Sequence, residues 1–220
     1  HDDEKSHKSH DDDHDDHDDK SHKSHDDDHD DHDDDKSHKS HDDHKDSLGE
    51  FDQHVWLDPE NAKIILNEIK NTLSNIDPSN SSRYEKNYII AKNDIDSLIK
   101  ITKIKLQNYG DDGFIYFHDA YQYFEKRFGL KASGTITVSP DLMPGAKRLK
   151  ELKKIINKSN VKCVFSEPQF ESKIINTIVD GTGKKASVLD PLGFNIMPGK
   201  KLYNQLIINM SDAFVKCFDE

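Results

Sequence analysis

The first 46 residues of the chain contain no Val, Ile, Leu, Phe, Trp or Tyr. A segment of this composition cannot bury enough apolar surface to offset its loss of conformational entropy, so we predict that residues 1–46 are disordered. This head holds 7 Lys against 21 Asp and Glu, a formal charge of −14, whereas residues 47–220 carry a net charge of +2. The acidic balance of the whole chain therefore belongs to the head, and the 174 residues that follow are long enough for one sizeable core.

The head is also repetitive and rich in histidine. The run KSHKSHDDDHDDHDD begins at Lys5, recurs from Lys20 and returns truncated from Lys36, and no copy has a hydrophobic face. A solvated acidic spacer is one interpretation. Because 12 of the 14 histidines lie here, many of them three residues apart, we favour weak and exchangeable binding of zinc, copper or nickel, which should fade as the pH falls through about 6.5. The predicted auxiliary ligands are His7, His10, His14, His17, His22, His25, His29, His32, His38, His41 and His44.

Several classes of protein are not supported by the sequence. No apolar run approaches the roughly 20 residues of a membrane span, so we expect a chain that does not cross a membrane. There is no glycine-rich phosphate loop and no GxSxG motif, and the near-neutral body gives no sign of nucleic-acid binding. We therefore expect neither an enzyme with catalytic residues nor a nucleic-acid partner. The chain has no initiator Met, opens inside the repeat and shows no signal peptide, so we expect a fragment of a longer protein.

Two helices are predicted directly after the linker that follows the head. Asp58 is a suitable N-cap with Pro59 at the first helical position, and an apolar stripe then runs through Ile64, Ile65, Ile69 and Leu73. Residues 79–108 show apolar or aromatic residues at steps of three and four, which predicts one long amphipathic helix. Its length of about 45 Å would suit a strut between two lobes.

The remainder of the chain alternates between strands and helices. Strands are predicted at 113–117, 135–138, 161–165 and 186–189, and helices at 120–128, 144–157, 171–179 and 200–217. Four successive strand–helix units predict an α/β fold with a four-stranded parallel sheet flanked by helices, preceded by the long helix.

Polar side chains that can ligate a metal stand at the carboxyl ends of these strands, where open parallel sheets bind their ligands. They are His118 with Asp119, then Glu167, then Asp190. His54, in the run DQHVWLDPE, is the only other histidine outside the head. A lone histidine is more often a surface or core residue, but imidazole and carboxylate together are suitable zinc ligands. Cys163 and Cys217 are compatible with two buried thiols or with a disulfide, and the residues alone leave that choice open.

Five motifs, in this order, resemble one known family. They are His54-Val-Trp-Leu-Asp-Pro; Phe117-His118-Asp119-Ala120-Tyr121 with Tyr123-Phe124-Glu125; Pro144-Gly145 at a helix start; the run CVFSEPQF from Cys163; and Leu189-Asp190-Pro-Leu-Gly193. From His54 onward the chain is similar to the periplasmic zinc-binding proteins in the metal-specific cluster (cluster A-I) of ABC-transporter solute-binding proteins.

The resemblance implies two α/β lobes, joined by a long rigid helix, with the metal between them. Residues 1–46 would be a charged loop within the N-terminal lobe, 47–78 the end of that lobe, 79–108 the inter-lobe helix and 109–220 the C-terminal lobe. His54 and His118 would be zinc ligands approaching from different lobes, and a further histidine would come from an N-terminal lobe that this chain lacks.

The remaining motif residues have less direct roles by the same resemblance. Asp190 matches a carboxylate ligand that relatives use less consistently, Glu167 would be structural support near the cleft, and Cys163 and Cys217 would form a disulfide. In that disulfide, Cys217 would continue an inward-facing apolar series on the terminal helix.

The function implied is capture of Zn²⁺ in the periplasm and its delivery, through transient contact, to the membrane permease of an ABC importer by a monomeric binding protein. A histidine-rich metal buffer or chaperone, a manganese-binding variant of the family and a metal-dependent hydrolase are the alternatives. Two imidazoles favour zinc over manganese, which prefers oxygen ligands.

Overall fold

A computed structural model of the chain describes residues 52–137, 144–158, 160–170 and 173–219. The predicted disordered, metal-binding head at 1–46 lies outside these residues. Val138, the last residue of the strand predicted at 135–138, and Glu171, the first residue of the helix predicted at 171–179, also lie outside them.

The sheet has four parallel strands, β1 (Gly113–His118), β2 (Gly134–Thr137), β3 (Val161–Ser166) and β4 (Lys185–Val188), in the order β2-β1-β3-β4. This confirms the predicted parallel sheet. β1 is buried along its whole length and β3 at five of its six positions, as expected for central strands covered on both faces. Along the chain β1 is followed by β2, which pairs with one edge of β1. The next strand, β3, pairs with the opposite edge of β1. The strand order therefore reverses between β1 and β3, which is where such sheets form a ligand-binding crevice.

Helices cover both faces of the sheet. They are α1 (Pro59–Ile76), α2 (Ser81–Leu106), α3 (Gln122–Phe128), α4 (Ala146–Lys158), α5 (Lys173–Val179) and α6 (Leu202–Asp219). Side chains alternate between the faces of a strand, so β1 sends Ile115 and Phe117 to the core beneath α4 and α5, and Phe114 and Tyr116 to the core beneath α3 and α6. None of the helices in the described residues has both the length and the apolar character needed to cross a membrane.

The long helix predicted at 79–108 is present as α2, which begins at Ser81 after a 3₁₀ turn at Pro78–Asn80 and has 26 residues, or about 39 Å. Only its C-terminal half enters the main body of the protein, where Ile95, Leu98, Ile99 and Leu106 are buried. α1 packs antiparallel along α2, with Ala62 of α1 in a small cluster with Ile95 and Ile99.

The apolar stripe predicted for α1 does not face this packing. Ile64, Ile65, Ile69 and Leu73 are 68%, 41%, 49% and 39% exposed, whereas Ala62 of the same helix is buried in the cluster with α2. The periodicity correctly indicates a helix, and the described part of the chain does not bury the stripe. A repeat of apolar residues shows that a helix has an apolar face and does not specify which element covers it.

Cys163 of β3 and Cys217 of α6 form a disulfide, with an S–S distance of 2.08 Å and 6.1 Å between their Cα atoms. Both residues are buried, so the bond fastens the terminal helix to the sheet from within the core. The pairing implied by the family resemblance is confirmed.

Candidate metal centre

His118 is the last residue of β1 and is almost completely buried. Glu167 follows β3, the neighbouring strand, and is buried to a similar degree, so both side chains lie at the switch point of the sheet. The His118 Nδ1 atom is 2.5 Å from Glu167 Oε1. An ionised carboxylate can only accept hydrogen bonds, so Nδ1 of His118 donates to Glu167, and in the neutral ring Nε2 then carries the lone pair.

His54 is held in a similar way by a different carboxylate. It precedes a 3₁₀ turn at Val55–Leu57, and Asp52 Oδ1 accepts hydrogen bonds from the His54 backbone N–H at 2.9 Å and from its ring Nδ1 at 2.7 Å. The Asp52 side chain is 8% exposed and that of His54 26% exposed, so the outer edge of His54 is the accessible side of the pair.

The two histidines meet through the nitrogens that the carboxylates leave free. Nε2 of His54 lies 3.4 Å from Nε2 of His118, and the ring centroids are 5.3 Å apart. Two imidazole nitrogens bound to one tetrahedral zinc at 2.0–2.1 Å would be about 3.3–3.4 Å from each other. The separation of the two free nitrogens therefore equals that of two zinc ligands.

The segment carrying His54 is anchored to the α/β body by its own backbone and indole. Trp56 Nε1 donates a hydrogen bond to the Pro191 carbonyl at 2.9 Å, and the Tyr203 hydroxyl donates to the Trp56 carbonyl at 2.8 Å. Leu57 is fully buried in the same core as β1, α3 and α6. These long-range contacts pack the segment that carries His54 against the body that carries His118. The expectation that the two histidines belong to different lobes stays a prediction.

A bidentate ion pair completes the anchoring. Arg127 of α3 donates through Nε and a terminal nitrogen to the two carboxylate oxygens of Asp58, at 2.6 and 2.8 Å. Asp58 also accepts from the Glu60 N–H at 2.9 Å and thereby caps α1. The Asp58 carboxylate thus caps the N-terminus of α1 and also holds this end of the helix against α3.

Asp190 lies two residues beyond β4, at the same edge of the sheet, but is not brought to the two histidines. Its Oδ1 accepts from the backbone N–H groups of Leu192 and Gly193, at 3.2 and 2.9 Å, and so stabilises the turn that follows. Across the described ranges, no three or more His, Cys, Asp or Glu side chains are grouped so as to hold a metal ion. The structure thus joins His54 with His118, while the role of Asp190 stays a prediction.

An aromatic layer supports the site from beneath. The Tyr116 and Tyr121 rings stack at 4.2 Å, and His118 lies 6.2 Å from Tyr121. Burial, followed by the negative charge of Glu167, raises the pKa of Tyr121 well above its ordinary value of 10.0. That phenol therefore stays neutral and does not compete with imidazole as an anionic ligand.

Sequence reasoning missed one member of this centre, Asp52. The available signal was its position two residues before His54, in DQH, which allows a carboxylate to reach the ring of the following histidine. Glu167 was expected only as structural support near the cleft, whereas it contacts the His118 ring directly.

A parallel α/β sheet with converging donors at its switch point defines a class, the α/β binding proteins that hold a small ligand at the carboxyl edge of the sheet. The comparison with protein families narrows this class. Residues 3–217 match the family described as zinc-uptake complex component A, periplasmic, and the chain belongs to that family.

Individual relatives agree with this assignment. The chain is 46% identical over 172 residues to the high-affinity zinc uptake system protein ZnuA of Brucella suis biovar 1, covering 78% of this chain and 52% of that protein. It is 34% identical over 174 residues to the protein of the same name from Yersinia pestis, covering 77% and 53%. The chain thus spans about half the length of the curated relatives it matches.

A solved structure gives the corresponding result for the fold. A Zn(II)-bound mutant variant of AdcAII from Streptococcus pneumoniae superposes with a TM-score of 0.65 at 28% identity, covering 78% of this chain and 64% of the other.

Proposed function

We propose that this chain is the zinc-holding part of a periplasmic solute-binding protein that captures Zn²⁺ and delivers it to the membrane permease of an ABC importer. The observation that carries the proposal is the pair of free Nε2 atoms on His54 and His118, separated by the distance that two ligands of one tetrahedral zinc would have. Family membership and the zinc-uptake names of the relatives support the same cargo.

The donor type favours zinc over manganese. Two imidazoles suit zinc, whereas manganese prefers an all-oxygen site. A tetrahedral site needs about four donors, so the two histidines form half of it. The other positions are taken by a histidine of an N-terminal lobe and by Asp190 or water. A site closed by four protein donors would hold the metal as cargo, since catalytic zinc keeps one position open to water or substrate.

The proposed organisation is two lobes with the inter-lobe helix α2 between them, in a monomer that contacts its permease transiently. Anchoring of 52–58 on α3 and α6 supports assigning this segment to the C-terminal lobe instead of to the end of the N-terminal lobe at 47–78. The exposed stripe at Ile64, Ile65 and Ile69 supports assigning α1 to the N-terminal lobe, whose core would cover it.

The test is to replace His54 and His118 singly by Ala and to measure zinc affinity by competition with a chelator of known affinity. The protein without residues 1–46 is used, so that weak sites in the head do not mask the loss. Each replacement removes a ligand, so each should weaken the tightest zinc equivalent by more than the roughly 10–100-fold typical of changes outside the ligand set. If both variants keep the parent affinity, the two histidines are not the zinc site and the proposal is wrong.

A further inference from the structure

We infer that Asp52 and Glu167 are positioning residues for zinc, each fixing the tautomer of one histidine so that both Nε2 lone pairs are directed at one point. The inference rests on the proposed function, since it assigns a role around the same two ligands. Four side chains from three parts of the chain form two carboxylate–imidazole units, and the Nε2 atoms of the two rings lie 3.4 Å apart.

Glu167 is a buried acidic residue, and burial of a carboxylate needs a specific partner. The carboxylate is 4% exposed, and an ionised carboxylate is costly to bury without a partner. The ion pairs of the described residues give it one protonatable partner, His118, through Nδ1. β1 and β3 are adjacent and parallel, so the sheet itself sets the separation of the two side chains.

Asp52 is likewise committed to one partner. Its Oδ1 accepts both the backbone N–H and the ring Nδ1 of His54, so the carboxylate fixes the position of the residue and the rotation of its ring together. Its second oxygen, Oδ2, is buried and has no hydrogen-bond partner within the part of the chain that the structure describes.

The tautomer matters because a neutral imidazole has one lone pair available for a metal. If either ring carried its proton on Nε2, that nitrogen could not bind zinc until the proton moved to Nδ1. The apparent zinc affinity would then fall in proportion to the fraction of rings that carry the proton on Nδ1. The two carboxylates remove this loss for both rings before zinc arrives. They also hold the two Nε2 lone pairs 3.4 Å apart, and a cation placed between these lone pairs relieves their repulsion.

The experiment uses Glu167→Gln and Asp52→Asn, which keep size and remove charge, with Asp119→Asn as control. Asp119 is exposed and adjacent to His118 in sequence, so its replacement removes the same charge near the site without touching either ring contact. Long-range ¹H–¹⁵N correlation spectra of the zinc-free protein report which ring nitrogen carries the proton, and chelator competition gives zinc affinity.

The parent protein and the control should show both histidines protonated on Nδ1. Each positioning variant should shift its own histidine toward the Nε2–H tautomer and weaken zinc binding by about 10–100-fold. Because an amide can donate to Nδ1 as well as accept from it, the shift should appear even where the variant retains a hydrogen bond. Asp52→Asn lies in a loop outside the sheet, so it remains informative if the buried Glu167→Gln variant fails to fold.

The outcomes separate this inference from the proposed function. Parent-like ring spectra in both variants, or weaker zinc binding without a tautomer change, would overturn the positioning role while leaving the zinc site intact. Retention of zinc affinity by His118→Ala would instead refute the site itself, whatever the spectra show.

Discussion

Removal of the Cys163–Cys217 disulfide should destabilise the protein by a predictable amount. The bond closes a loop with a sequence separation of 54 residues. In the chain-entropy description, losing a cross-link of this span lowers the free energy of unfolding by about 4 kcal/mol at 25 °C. The perturbation is the double replacement of Cys163 and Cys217 by Ala, which also avoids mispairing.

The assay is urea unfolding followed by fluorescence of Trp56, the only tryptophan in the chain. Trp56 contacts Pro191 and Tyr203 through hydrogen bonds, so its signal reports the packing of the His54 segment on the body. The dependence of unfolding free energy on urea should also become steeper, because an unfolded chain without the cross-link exposes more surface. The parent protein under reducing conditions is the matched control and should behave as the double variant does.

Two results would refute this reasoning. Labelling of two free thiols in denatured, unreduced protein made under oxidising conditions would mean that the bond does not form. Equal unfolding free energies for the oxidised parent and the double variant would mean that the bond forms without restricting the unfolded chain.

Two further predictions concern the head and the start of α2. Deletion of residues 1–46 should leave the unfolding midpoint of the metal-free protein unchanged and remove several weak zinc equivalents, as measured by calorimetric titration; equal stoichiometry with and without the segment would contradict its metal-binding role. Hydrogen bonds from Ser79, Asn80 and Tyr84 lower the pKa of Asp77 from 3.8 to about 2. Because the pKa of Asp77 is lower in the folded state, its ionised side chain stabilises the fold above pH 3.8. This contribution is lost as the pH falls from 3.8 toward 2 and the side chain becomes protonated. Asp77→Asn should flatten the pH dependence of the unfolding midpoint in that window, and an unchanged profile would exclude the contribution.

Much of the α/β body was predictable because its signals are local. The run GFIYF begins with Gly113 and continues with four apolar or aromatic residues, and the observed strand β1 extends it by one residue, to His118. The order of the strands was not predictable in this way. Nothing within VKCVF specifies that this strand pairs with β1, since that pairing depends on the packing of all the crossover helices together.

The sequence predicts the two candidate ligands, His54 and His118, but not the geometry that brings them together. His118 stands at the end of a strand, so its location follows once the strand is recognised. His54 is placed by contacts between residues 135 and 147 positions apart in the chain, those of Trp56 with Pro191 and Tyr203. No local pattern shows contacts over such separations, so the sequence does not reveal that the segment carrying His54 packs on the α/β body.

Placement of both histidines on one unit changes how capture and release work under the proposed function. The Nε2 pair is set by the sheet, by Asp52 and by Glu167, so it keeps its spacing when any other lobe moves. A zinc ion held by this pair alone would have two further positions open to water, and its affinity would be well below that of a four-donor site. Movement of the lobes then makes or breaks only the remaining donors. Such a movement would lower zinc affinity without disturbing the two histidines, so the permease could receive the metal while the half-site stays ready for the next ion.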